Sequence, residues 1–152
     1  MLKDGTISEE VFVQRGVTDT SIIDNNPLVK TASLISSDEL IDAVRKSRFV
    51  ISHAGQGSTR MLVSQRASFI VLPRLVRYRE HIDDHQLSFS QSVHSFGIQY
   101  CLEFDELKHA VLAPPPPLSN RQLFDGPKLS EYLCKIYPKT TRSSQTMQST
   151  VT

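Results

Sequence analysis

The stretch FVISHAGQGSTRMLV, residues 49–63, passes from a short apolar run into a histidine and two glycines, then into a hydroxyl pair and more apolar residues. Such a stretch commits the chain to a strand that stops abruptly and a helix that starts at once, the joint of a parallel α/β sheet. The same alternation recurs on both sides. Val11, Phe12 and Val13 form a compact strand closed by Gly16, and NNPLVKTASLIS holds one or two extended pieces after a turn. Ser36 or Ser37 caps the helix DELIDAVRKS, whose acids come first and bases last, turning Leu40, Ile41 and Val44 inward. RFVIS is the next strand, STRMLVSQ the next helix, and SFIVLP an apolar strand of the kind found at the centre of a parallel sheet. Asp83 or Asp84 then opens a helix with Phe89, Val93 and Phe96 on one stripe and Gly97 as its stop. IQYCLE is a further strand, and FDELKHAVL a helix aligning Phe104, Leu107 and Val111. In sheets of this kind ligands sit beyond the carboxyl ends of the strands.

The pattern delimits a domain over residues 1–112. The stiff APPPP spacer and a helix within GPKLSEYLCKIY, with Leu129, Tyr132, Leu133 and Ile136 on one stripe, occupy 113–138. Residues 139–152 hold too little apolar matter to order themselves and form a tail. Lys+Arg 17 against Asp+Glu 16 leaves no overall electrostatic case for nucleic acid. Cys101 and Cys134 lie in apolar stretches and read as reduced, buried thiols. The polar, acidic start excludes a secretory signal, and no apolar run approaches the ~20 residues that span a bilayer. A cytoplasmic chain is expected, with any membrane attachment through a partner.

Gly55 and Gly57 let the backbone after the strand turn tightly and approach a ligand. The helix expected to begin near Ser58 offers free amides and a dipole that favour an anion, with Ser58 and Thr59 adding hydroxyls and His53 standing at the mouth. A tight turn with His53 bonded to backbone is the plainer alternative. A second constellation, LPRLVRYREHIDDHQ, follows the next strand and packs Arg74, Arg77, Arg79, Glu80, His81, Asp83, Asp84, His85 and Gln86 together. Its plainer reading is an exposed loop, with Asp83 as a helix cap. Both constellations follow neighbouring parallel strands and therefore share one edge of the sheet. Phosphate-type donors beside carboxylate, amide and arginine groups suit a nucleotide-sugar, with Asp84 and Gln86 on hydroxyls and Arg74 balancing charge.

Two other chemistries compete. His53, His81, Asp83, Asp84 and His85 are metal-ligating types, as in a metal-dependent hydrolase. His81 and His85 would share a face only if residues 81–85 were helical, whereas the helix is expected to begin at the aspartates, so no metal is expected. No G-x-S-x-G elbow supports a serine nucleophile.

VISHAGQGST, followed by IVLPR and EHIDDHQ, resembles the C-terminal, donor-binding half of GT-B glycosyltransferases of the peptidoglycan N-acetylglucosaminyltransferase (MurG, family 28) type. It is most similar to stand-alone half-enzymes such as the PssE-type exopolysaccharide subunits, which DGTISEEVFVQRG also resembles. The resemblance spans about residues 4–112 and implies a Rossmann-like half of a GT-B fold. It implies that His53, Gly55, Gly57 and Ser58 face the donor diphosphate, that Glu80, Asp84, His85 and Gln86 lie near the sugar and ribose, and that Arg74 sits at the rim. The implied reaction transfers a hexosyl unit, with inversion, from a UDP-sugar to a lipid-diphosphate-linked acceptor without a metal or other cofactor. The implied partner is a membrane-anchored, PssD-like subunit that carries the acceptor site and the general base.

The chain departs from that pattern in three places. The strand and glycine turn with which members of the family open are expected to be missing, Arg60 and Met61 stand where MurG-type enzymes carry a ribose-binding glutamate, and QRAS replaces a glycine-lysine-proline turn. A non-catalytic, partner-binding protein of the same fold is therefore the alternative to a donor-binding subunit.

Overall fold

The structure, a computed structural model, describes residues 1–119. Two pairs of parallel strands carry it. β1 (Val11–Gln14) pairs with β2 (Val29–Ala32), Val11 opposite Val29. β3 (Val50–His53) pairs with β4 (Phe69–Leu72), Val50 opposite Phe69. The helices are α1 (Ser21–Asp24), α2 (Ser37–Lys46), α3 (Gln56–Ser64), α4 (His85–His94) and α5 (Phe104–Leu112), with a single 3₁₀ turn at Val76–Tyr78. This is the expected α/β arrangement of parallel strands and flanking helices. The short α1 has no counterpart in the sequence reading. The helix expected within 126–137 and the tail at 139–152 lie outside the described residues. No helix among the described residues is long and apolar enough to cross a membrane.

The sheet is not continuous. Among the described residues, neither β1 nor β2 is hydrogen-bonded to β3 or β4. The free edges show in the side chains: Phe12 on β1 and Ile51 on β3 are both a little under half exposed. Polar links tie the first strand pair to the rest. Arg48, just before β3, is paired with Glu9 just before β1, and Lys108 on α5 reaches Asp4 at 3.6 Å. Arg45 on α2 donates to Gln65 after α3 at 2.9 Å. All are exposed pairs, a class that contributes at most about 1 kcal/mol each.

The core belongs to the second half. Ile70, Val71, Leu62 and Ile98 are almost wholly buried between β4 and the helices around it. β4 is apolar at every position and buried at three of four, as a central strand requires. The expected strand at IQYCLE shrinks to one bridge, Tyr100 to Val71. Its ladder starts normally, with the Val71 amide donating to Gln99 and the Cys101 amide to Val71. It then stops because the next two amides, of Leu102 and Glu103, donate to the Glu106 carboxylate at 2.8 and 3.2 Å and open α5 instead.

Helix ends follow the sequence closely where a side chain closes them. Ser36 and Glu39 form a reciprocal capping box on α2, and its inner face is Leu40, Ile41 and Val44 as expected. On α4 the expected stripe shifts: Gln86, Ser90 and Val93 are buried and Phe96 is exposed. On α5 the inner residues are Leu107, Ala110 and Val111, while Phe104 is exposed.

α3 and α4 end in the same motif with different residues. After α4, Gly97 is left-handed at φ 94°, its amide bonds His94 and the next amide, of Ile98, reaches back to Val93. After α3, Arg66 takes the same place at φ 55°, with its amide on Val63 and that of Ala67 on Leu62. This closure favours glycine because a Cβ is strained in the left-handed region. The QRAS turn thus keeps a glycine conformation without a glycine. Arg66→Gly is expected to stabilise the fold by about 0.5–1 kcal/mol, the left-handed strain exceeding the entropic cost of glycine. A urea melt with an unchanged slope and a higher midpoint checks it.

Candidate functional site

β3 ends at His53 and α3 begins three residues later, at Gln56, two residues before the expected start. Gly55 is the N-cap and Gly57 and Ser58 lie within the first turn. At Gly55 a methyl group would lie 2.4 Å from Nε2 of His53, so any larger residue would make the exposed imidazole swing off the turn. At Gly57 nothing among the described residues lies within 4 Å of where a Cβ would be, and its φ is not left-handed. A helix normally disfavours such a glycine by about 1 kcal/mol relative to alanine.

The first turn of α3 is also left open. α2 closes its amino end with Ser36 and Glu39, and α5 with Glu103 and Glu106, but no side chain caps α3. The amides of Gln56, Gly57 and Ser58 are the donors that the first turn of a helix cannot satisfy internally. The Ser58 side chain is half-buried and no hydrogen bond is recorded for its hydroxyl. Thr59 differs from the expectation: it is fully buried and its hydroxyl donates to the Gly55 carbonyl at 2.9 Å, so it is not available to a ligand.

His53 is exposed at the mouth of this turn, yet its imidazole pKa is lowered, first by partial burial and then by the positive charge of Arg74. The charge of Arg74, which follows β4, is thus felt at the residue that ends β3. An anion placed among His53, Arg74 and the α3 amides would meet one guanidinium, an imidazole able to donate a hydrogen bond, and a helix dipole.

The remaining predicted residues are engaged in building the loop after β4. Three consecutive backbone amides leave that strand end, and each is received by a different side chain. Arg74 N–H donates to Oε1 of Gln86 at 3.1 Å, Leu75 N–H to Oε2 of Glu80 at 3.1 Å, and Val76 N–H to Oδ1 of Asp84 at 3.4 Å. Gln86 is buried; Glu80 and Asp84 are exposed and each keeps a second carboxylate oxygen. Asp84 occupies the N-cap position of α4 without capping it, and Asp83 accepts the His85 amide at 3.1 Å. His85 is exposed and held by Asp83. His81, Asp83 and His85 come together although residues 81–84 are not helical, contrary to the geometric argument made from sequence against a metal.

A shallow cleft of about 280 Å³ opens beyond β4 on its Tyr100 side, between Arg74, Leu75 and Glu80 and the segment Cys101–Phe104. The glycine turn does not line it; Arg74 is the residue that touches the cleft and also acts on His53. Cys101 lines it too, but burial pushes its thiol up to about 11, so it is protonated at neutral pH and unsuited to nucleophilic attack.

The amide-to-side-chain bonds make Gln86 the most exacting residue of the loop. Gln86→Leu is expected to destabilise the chain by about 1–3 kcal/mol, because it strands the Arg74 amide and removes the acceptor together. Glu80→Gln, which keeps an acceptor at an exposed site, is expected to cost less than about 1 kcal/mol. Thermal and denaturant melts compare the two.

No curated protein and no solved structure matches the chain. A family model does, that of the glycosyltransferase family 28 C-terminal domain, over residues 6–116. That span takes in both strand pairs, the open turn of α3, the loop after β4 and α5. The turn, His53, Arg74 and the sheet that carries them thus lie within a glycosyltransferase family 28 C-terminal domain, and the chain belongs to that family.

Proposed function

We propose that this chain is the UDP-sugar-binding subunit of a bipartite glycosyltransferase. It transfers a hexosyl unit to a lipid-diphosphate-linked acceptor held by a membrane-anchored, PssD-like partner, in the manner of PssE-type exopolysaccharide subunits. The observation that carries this reading is the uncapped first turn of α3 beside His53 and Arg74. The donor diphosphate lies on the Gln56–Ser58 amides, with Gly57 leaving room for it, and the sugar and ribose extend toward Glu80, Asp84, His85 and Gln86. The same cationic and amide groups stabilise the departing UDP. The partner contributes the acceptor site and the general base, and brings the chain to the cytoplasmic membrane surface.

A non-catalytic, partner-binding role for the same fold is the second reading. The use of Glu80, Asp84 and Gln86 as acceptors for backbone amides favours it, as do the free edges of β1 and β3.

An amide-shift titration of the full chain with UDP-sugars separates the two. Donor binding is expected to give saturable shifts at Gly55–Ser58 and around Arg74, weakened at least about tenfold by His53→Ala. Gly57→Ala is expected to stabilise the free chain by up to about 1 kcal/mol while weakening the donor, since the methyl group fills the ligand's space. A folded spectrum that ignores UDP-sugars at concentrations on the order of millimolar overturns donor binding by the isolated chain. Transfer to a lipid-linked acceptor is expected only when the partner chain is added.

The lowered pKa of His53 fixes the sign of a pH effect. The folded chain without donor binds fewer protons here than the unfolded chain, so this group's contribution to stability is present above its ordinary pKa and fades as pH falls. A diphosphate beside the imidazole favours its charged form instead. UDP-sugar affinity is therefore expected to rise as pH falls below about 6.5, with proton uptake measurable by calorimetry in buffers of different ionisation enthalpy. His53→Ala is expected to remove that uptake.

A further inference from the structure

The bend between the 3₁₀ turn and α4 gathers His81, Asp83 and His85. Their ligating atoms all lie within 4.8 Å of one another. Residues alternate along this bend: Ile82 is 92% exposed and Asp84 turns back to the Val76 amide, which leaves the three odd-numbered side chains on one side. Nδ1 of His81 lies 3.2 Å from Oδ1 of Asp83, and Nδ1 of His85 contacts the same oxygen. The two imidazoles meet edge to face with centroids 4.5 Å apart.

We propose that His81, Asp83 and His85 form a binding site for a zinc-class divalent cation. Two imidazole nitrogens and one carboxylate oxygen are the mixed donor set that zinc accepts, and three protein ligands leave a fourth position open to water. Ligand bonds of the usual length in a tetrahedral site place neighbouring donor atoms about 3.3 Å apart, close to the His81–Asp83 separation, whereas His85 sits nearer the same oxygen and must draw back to admit an ion. Without a cation, one oxygen of Asp83 faces two ring nitrogens and also accepts the His85 amide at 3.1 Å. Nδ1 of His81 also receives the Asp83 amide at 3.4 Å, so its lone pair faces the same way as the carboxylate charge and calls for a positive group between them. A cation relieves that demand by taking both lone pairs and the carboxylate charge at once. The nearest charged neighbours have other partners: Arg77 is paired with Glu103 at 3.0 Å and lies over the Tyr78 ring, and Glu80 and Asp84 accept the Leu75 and Val76 amides. His85 is shared with the proposed sugar end of the donor, so metal binding is measured on the chain without UDP-sugar. Its structural effect is on the bend itself, because the ligands bracket the residues that receive the β4 amides.

Titration of the tag-free full chain with cobalt(II), a spectroscopic substitute for zinc, followed by zinc calorimetry, tests this. One equivalent is expected to bind with the strong visible absorption of a tetrahedral site, and zinc is expected to raise the melting temperature. His81→Ala, Asp83→Asn and His85→Ala are each expected to weaken binding at least about tenfold, whereas His94→Ala and His109→Ala leave it unchanged. Ring-nitrogen NMR shifts of His81 and His85 on adding zinc read the same result in the unsubstituted chain, whatever the variants do to folding. Absence of saturable binding at metal concentrations on the order of millimolar overturns the proposal. So does binding that leaves the His81 and His85 ring nitrogens unshifted.

Discussion

The order of this molecule's functional edge depends on where three backbone amides go. β4 ends at Leu72, and the amides of Arg74, Leu75 and Val76 emerge from it with no strand to receive them. An unpaired amide in a half-buried position costs about as much as a lost hydrogen bond, so this segment needs acceptors before it can hold one conformation. Glu80, Asp84 and Gln86 supply them from the next turn and the start of α4. Those bonds fix the departure of the Arg74 backbone from the sheet and the bend that brings two histidines to one aspartate. Ser90 extends the arrangement inward, its hydroxyl donating to the Gln86 carbonyl at 2.9 Å from a fully buried position.

The two glycines of the turn divide the same labour differently. Gly55 lets the exposed His53 ring fold over the turn, since a methyl group there would make that ring swing aside. Gly57 is not required by anything in the described chain, and it weakens the helix that contains it. A residue that costs stability and relieves no internal clash is most simply explained by something outside the chain. Membership of glycosyltransferase family 28 gives that explanation a chemical form, since a nucleotide-sugar presents a diphosphate that needs close approach to backbone amides.

Much of this was legible in the sequence because it rests on local rules. The apolar run SFIVLP is the buried strand it promised, Ser36 and Glu39 close α2, and Gly97 ends α4 in the left-handed conformation its position implied. What was not legible rests on partners distant in sequence. No helical period reveals that Gln86, and not a phenylalanine, leads the inner face of α4, because the Arg74 amide twelve residues earlier decides it. IQYCLE has the composition of a strand, but the Glu106 carboxylate takes two of its amides for a helix. Thr59 looked like a ligand donor until its hydroxyl was found bonded one turn back. That His81, Asp83 and His85 meet was not legible because their spacing was judged on a helix, whereas an alternating bend brings positions i, i+2 and i+4 together as well.

The division of the sheet has a consequence for how the molecule breathes. The first strand pair contributes none of the almost fully buried apolar side chains, and exposed ion pairs help to hold it to the half that does. Opening it therefore forfeits little buried area and leaves β3, β4 and the helices around them packed. Such a segment exchanges its amide hydrogens through a local transition of lower free energy than global unfolding. The open turn of α3 belongs to the half that holds the core, so it is expected to stay assembled when the amino-terminal strands open.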